Sequence, residues 1–125
     1  MTRPRDYRPP IAIFPVDFLA GEHTGVMRPE QRGAYMNLLC FVWPMLLEGR
    51  GGLENDLAIL ARLAGFPDRA YFEARVWPAL APCFVLVDGR LVPPALERQC
   101  RQYAKLQKAG RLGAFKRWRQ AAGLE

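Results

Sequence analysis

The sequence lacks the residue patterns that metal sites and disulfide frameworks require. Its three cysteines, Cys40, Cys83 and Cys100, stand far apart and are odd in number, which argues against both a Cys-x-x-Cys metal knuckle and a disulfide framework. The single histidine, His23, has no second histidine with which to share a metal, so we interpret it as a surface loop residue. We therefore expect no metal and no cofactor.

Long apolar runs and targeting signals are missing too. The densest apolar stretch, 35–47, contains Asn37 and Pro44 and is shorter than the roughly 20 residues that cross a bilayer. The first ten residues carry three arginines and no uninterrupted apolar segment, so no secretory signal is predicted. We expect a cytoplasmic protein that does not contact membranes.

Catalytic patterns cannot be recognised either. There is no carboxylate pair, no Ser-His-Asp set and no Walker-type loop, because the glycine-rich run 49–52 lacks the Lys-Ser/Thr pair that a phosphate cradle needs. We expect a binding protein with no catalytic residues rather than an enzyme.

Acidic residues are absent between Arg98 and Arg119, and this absence divides the chain electrostatically. Residues 1–97 hold 10 Lys+Arg and 11 Asp+Glu, a net charge of −1, whereas 98–125 hold 8 Lys+Arg and one acid, a net charge of +7. Such asymmetry indicates a nearly neutral body with a basic arm that binds polyanions such as nucleic acids. The alternative is a solvated helix face, which usually mixes both signs.

Half of the 125 residues are apolar, which is enough to form one hydrophobic core. Prolines predict an extended arm over 1–14, followed by a short turn at 17–20. A long central helix is predicted at about 29–48, where Pro44 should kink the helix or end it near Trp43. Leu53 should form a short strand.

Two more helices and a hairpin follow. Helices are predicted at about 55–64, stopped by Gly65, and at about 69–81, capped by Asp68 and bent or shortened by Pro78. Asp88-Gly89 between two β-rich runs is the strongest short-range hairpin signal. A fourth helix should begin near Ala95. The predicted core is Tyr35, Leu39, Val42, Leu60, Leu63, Phe72, Val76, Phe84 and Leu86.

This order of elements is that of a winged helix. We predict an α+β, mainly helical fold: an N-terminal arm over 1–14, a winged-helix-like domain of three helices and a β-hairpin wing over 15–97, and a basic C-terminal helix and tail over 98–125.

The sequence also resembles the YdaU-like prophage domain of unknown function. The resemblance covers about 15–118 and rests on the order of several short motifs. These motifs are the opening at 15–21; the long helix at 27–35 with Leu38-Leu39 and Trp43; the second helix at 57–58 and 60–65; the hairpin at Phe84 and Asp88-Gly89; and the tail at 96–98 and 109–114. It implies a phage origin, a winged-helix-like fold, no catalytic residues, and a role near DNA replication initiation beside helicase-loading or primosomal proteins. One departure is Arg28, where a capping Ser or Thr is common.

Two functions remain open. The first is nucleic-acid binding with little sequence specificity, to single- or double-stranded DNA, in which basic side chains contact phosphates and Trp118 stacks on bases. Tyr103 is expected to pack on the body instead. The second is a protein adaptor whose body docks a helicase, a loader or a host protein. The candidate nucleic-acid-binding residues are Arg98, Arg101, Lys105, Lys108, Arg111, Lys116, Arg117, Trp118 and Arg119 in the tail, with Arg69, Arg75 and Arg90 in the body.

Overall fold

The long helix α2, Pro29–Leu47, organises the fold in the computed structural model, which describes residues 9–106. Pro29 occupies the first turn as predicted, and Gln31 accepts the Arg28 backbone N–H at 2.8 Å, so the helix start is capped without a Ser or Thr. The predicted span of about 29–48 is confirmed, and of the two outcomes expected at Pro44 an end near Trp43 is ruled out. The helix continues through Pro44, because its last turn remains bonded from Glu48 N to the Pro44 carbonyl at 3.0 Å.

The N-terminal segment packs beside α2. Residues 9–14 have no regular secondary structure, and helix α1, Pro15–Ala20, and a 3₁₀ turn, Thr24–Val26, follow. The short turn expected at 17–20 is therefore a helix. The proline at its first position needs no backbone N–H there, and Phe18 N donates to the Phe14 carbonyl at 2.9 Å.

Helix α3, Leu57–Ala64, starts two residues later than predicted because Asp56 caps it, accepting from Ala58 N and Ile59 N. Gly65 stops it at a φ of 92°, as predicted. The next helical stretch is broken into segments: helix α4, Arg69–Tyr71, capped by Asp68 as predicted; a π-helical turn, Phe72–Val76; helix α5, Trp77–Leu80; and a 3₁₀ turn, Ala81–Cys83. Pro78 explains the break, since its ring clashes with a carbonyl one helical turn earlier.

Three short strands form an antiparallel sheet: β1, Leu53–Glu54, β2, Val85–Val87, and β3, Arg90–Val92, in the order β1-β3-β2. The predicted turn joins β2 to β3, with positive φ at Asp88 (52°) and Gly89 (77°). Residues 94–106 then form helix α6. The described part of the chain is thus mainly helical α+β, with its elements in the predicted order.

One core lies where α2 meets α3, the π-helical turn, α5 and the sheet. Of the predicted core residues, seven are buried and Leu63 is half-buried against them. Leu86 was wrong, since 59% of it is exposed. Its strand lies at the edge of the sheet, and all three of its residues are exposed, whereas Leu91 and Val92 of β3 are buried.

Candidate nucleic-acid interface

Helix α6 brings three of the predicted cations to one side. Arg98, Arg101 and Lys105 are all exposed, and their spacing of three and four residues places them on one helical face. The opposite face packs on the body through Leu96, which is 2% exposed, and through Cys100, which is partly buried against the core. The body therefore fixes the direction in which the basic face points.

Two of these cations have no ion-pair partner among the described residues. Arg101 pairs with Glu97 one turn earlier on the same helix, while no described carboxylate lies within ion-pair distance of Arg98 or Lys105. An exposed, unpaired cation is fully available to a phosphate. Tyr103 is partly buried on the body-facing side, in keeping with its expected packing role.

The predicted boundary between residues 97 and 98 falls inside α6. Six further candidates lie outside the described residues, namely Lys108, Arg111, Lys116, Arg117, Trp118 and Arg119.

Of the candidates in the body, Arg69 and Arg90 make side-chain contacts within the body, whereas Arg75 is exposed and contributes only its backbone carbonyl. The Arg69 guanidinium lies 3.9 Å from the Glu73 carboxylate. The Arg75 backbone carbonyl accepts from the Gln31 side chain at 2.9 Å. These two arginines lie on α4 and the π-helical turn, the region that would read a DNA groove in a helix-turn-helix.

Tyr71 on the same surface donates to the Glu30 carboxylate at 2.8 Å, and this hydrogen bond is the main reason that the pKa of Tyr71 is raised. The surface of the third helical stretch is thus linked to the start of α2. The same surface keeps the exposed side chain of Arg75.

The wing offers one cation and an apolar edge. The Arg90 guanidinium donates to the Gly52 carbonyl at 3.1 Å, so it braces the approach to β1. Val85, Leu86 and Val87 are each more than two-fifths exposed. A wing with this composition presents hydrophobic surface rather than charge.

The structure also shows a groove that the sequence did not predict. It has a volume of about 710 Å³ and runs between the N-terminal segment 12–24 and residues 94–102, with Tyr35 and Leu39 of α2 and Pro82-Cys83 completing it. This volume lies in the range of small-molecule pockets. Its walls come from four distant stretches of sequence, so no local periodicity could have revealed it.

Two side chains hold the N-terminal wall of this groove in place. The Gln99 amide accepts from Ala12 N at 2.9 Å and donates to the Ala12 carbonyl at 2.8 Å. Trp43 donates its indole N–H to the Pro9 carbonyl at 2.7 Å. The arm is thereby attached to both α6 and α2.

The inner part of the groove contains a buried phenol beside a half-buried thiol. Tyr35 is 7% exposed, and burial, with a smaller effect of Cys83, raises its pKa to about 12. Burial also raises the pKa of the Cys83 thiol. Both groups are therefore protonated and uncharged at neutral pH. The Tyr35 hydroxyl makes no hydrogen bond to a described residue and is open to the groove, since no solvent-shielded side-chain N or O atom of the described residues lacks a partner.

Comparisons with protein-family models, with curated proteins and with solved structures gave no match. Within residues 9–106, no cluster of His, Cys, Asp or Glu has the geometry to hold a metal ion. None of the described helices is both long enough and apolar enough to cross a membrane.

Proposed function

We propose that this protein is a phage- or prophage-derived nucleic-acid-binding accessory protein that binds DNA through its basic C-terminal helix and tail, with little sequence specificity. The observation that carries this proposal is the exposed face of α6, on which Arg98, Arg101 and Lys105 lie together. The remaining C-terminal cations follow them in the sequence. Cations in a row along one face match the spaced phosphates of a nucleic-acid backbone.

The expectation of low specificity rests on the body. The order helix, strand, two helical stretches and hairpin, with strand order β1-β3-β2, supports a winged-helix-like assignment. In this domain the third helical stretch offers few groups for reading bases, and two of its exposed side chains are already paired on the surface, Arg69 with Glu73 and Tyr71 with Glu30. Affinity would then come mostly from phosphate contacts, which carry no sequence information directly.

The link to DNA replication rests on the resemblance to the YdaU-like prophage domain. It agrees with the low specificity, because an accessory factor at a replication site must bind DNA of many sequences. Binding of this kind needs no cofactor and no catalytic group.

The proposal is tested with two double variants that remove the same charge. Arg101→Gln with Lys105→Gln changes the basic face of α6, and Arg50→Gln with Arg62→Gln changes exposed arginines of the body. Each pair contains one arginine that forms an ion pair, Arg101 with Glu97 and Arg50 with Glu48. Affinity for labelled DNA, measured by fluorescence anisotropy, should fall in the α6 variant well below that of the body variant. Equal affinities would mean that only overall charge matters.

A specific observation favours the adaptor function as a second candidate. The wing exposes Val85, Leu86 and Val87 on an edge strand, and an apolar edge of this kind suits a protein partner better than a phosphate. A stoichiometric complex with a replicative helicase or its loader that survives high salt, and that Leu86→Glu disrupts, would put this function first.

A further inference from the structure

The groove between the N-terminal segment and α6 has two walls of opposite charge. Arg98 lies on the α6 wall and belongs to the basic face described above. Asp17 and Glu22 lie on the other wall, with α1 and the loop that follows it. A ligand that fits both walls has an anionic end and a hydrogen-bond-donating end.

Aromatic rings line the side of the groove formed by α1. Phe18 stacks on Tyr35 with ring centroids 6.5 Å apart, and Phe14 lies one helical turn before Phe18. Phe14 lines the groove and is 61% exposed. Its free face is a platform on which a flat ring can stack.

The Tyr35 hydroxyl supplies the polar contact inside the groove. The Tyr35 ring is buried, and its hydroxyl makes no hydrogen bond to a described residue. No side-chain N or O atom shielded from solvent lacks a partner in the described part of the chain, so this hydroxyl is open to the groove. Since the phenol stays protonated at neutral pH, it can donate to a carbonyl or ring-nitrogen acceptor of a ligand.

We propose that this groove receives an unpaired nucleobase, so that the protein prefers single-stranded to duplex DNA. The base stacks on Phe14, its acceptor edge meets the Tyr35 hydroxyl, and its amino or imino donors face Asp17 and Glu22. The phosphate lies on the α6 wall at Arg98. A paired base cannot enter, because its edge is already bonded to the opposite strand. This inference rests on the proposed function, and it adds what distinguishes one nucleic acid from another.

Charge complementarity selects this occupant over an apolar peptide. A backbone phosphate next to Arg98 continues onto the Arg101 and Lys105 side of the same helix, which a nucleic-acid strand can follow. An apolar peptide would use the aromatic wall but would leave both charged walls without partners.

The experiment compares a labelled single strand with the duplex of the same sequence by fluorescence anisotropy. Phe14→Ala removes the platform, and Tyr35→Phe removes the hydroxyl while keeping the ring in the core. The matched control is Val16→Ala, an apolar truncation on the same helix at a side chain that is 77% exposed and does not line the groove.

Phe14→Ala should weaken single-strand binding about ten-fold or more, the usual cost of losing one stacked base, and leave duplex binding unchanged. Tyr35→Phe should weaken it by a smaller factor, roughly three- to ten-fold, as expected for one hydrogen bond. Val16→Ala should bind both forms like the wild type. Single-strand affinities that stay at the wild-type value in both groove variants would overturn the proposal.

A second measurement separates this proposal from the proposed function. A mononucleotide is titrated into the wild-type protein, and backbone amide signals are followed by NMR. Saturable shifts at Phe14, Tyr35 and His23 support the groove even if the tail variants bind DNA normally. Tail-dependent DNA binding without groove shifts would leave the proposed function standing and overturn the groove site. Loss of a protein partner, but not of the oligonucleotide, in Phe14→Ala would assign the groove to a protein and also overturn it.

Discussion

The side chain of Gln99 exchanges two hydrogen bonds with the backbone of Ala12, at 2.9 and 2.8 Å, across 87 residues of sequence. The pairing resembles one step of a β-ladder, made by an amide side chain instead of a second strand. It joins the N-terminal arm to α6 and thereby sets the separation of the groove walls.

Replacing Gln99 by Ala should release the arm without unfolding the core. Because the two bonds are exposed, we expect a loss of about 1 kcal/mol in the free energy of unfolding. Amide exchange at Ala12 should become faster. Gln102→Ala is the control, since Gln102 lies on the same helix and has no hydrogen bond to a described residue. Unchanged exchange at Ala12 in Gln99→Ala would contradict the assigned role.

Leu60→Ala and Leu86→Ala form a matched pair in the core and on the wing. Leu60 is 0% exposed and Leu86 is 59% exposed. Leu60→Ala should lower the free energy of unfolding by about 2 to 5 kcal/mol, because it removes buried apolar surface and leaves a cavity. The second should change stability by less than about 0.5 kcal/mol. Urea denaturation measures both, and similar losses would mean that the wing is packed rather than exposed.

Gly89→Val should destabilise the hairpin, because Gly89 has a φ of 77° and a β-branched residue is strained there. Gly33→Ala is the contrasting change. Gly33 lies within α2, and a Cβ at this position meets no atom within 4 Å, so alanine should raise stability by up to about 1 kcal/mol. Thermal unfolding should therefore shift in opposite directions, and a lower midpoint for Gly33→Ala would disagree with the geometry.

Tyr35 should make the protein less stable in strong alkali. Its pKa is about 12 in the folded protein and 10.0 in the unfolded chain, so its contribution is fully present below pH 10. Above pH 10 the unfolded chain releases the phenol proton first, so this contribution falls steadily as the pH rises and is fully lost above about 12. Denaturation at several pH values should show this loss in the wild type and a smaller loss in Tyr35→Phe. Parallel curves for the two proteins would contradict the raised pKa.

Much of the fold could be predicted because its signals are local. Pro29 at a helix start, Asp68 at a cap, Gly65 at a stop and Asp88-Gly89 at a turn each act through neighbouring backbone groups, and each has the predicted role in the structure. The error at Leu86 has a different origin. An apolar residue in a strand indicates burial only where a second layer covers the strand, and sequence periodicity does not show which strand lies at the edge.

The groove could not be predicted for a related reason. Ala12, Tyr35, Cys83 and Arg98 come together only through the packing of α1, α2 and α6. Composition did identify the basic character of the C-terminal region, and α6 then showed which of its first cations share a face. The ion pair of Arg69 with Glu73 spans four residues within the predicted third helix, a spacing that can be read from the sequence, whereas the bond from Tyr71 to Glu30 joins two elements and appears only in the structure.

The central claim is that the C-terminal cations bind phosphates, and the salt dependence of DNA binding tests it most directly. The variant replaces five cations by Gln, namely Lys105, Lys108, Arg111, Lys116 and Arg117. It keeps Leu96 and Cys100, which pack on the body. A truncation at residue 97 is unsuitable, because it would also remove Gln99 and its contacts with Ala12. On duplex DNA, each neutralised phosphate contributes about −0.9 to the slope of log K against log salt concentration. Loss of five contacts should therefore reduce the magnitude of this slope by roughly 4 and weaken binding at low salt. An unchanged affinity with an unchanged slope would mean that the basic region is a solvated surface, and the adaptor function would take its place.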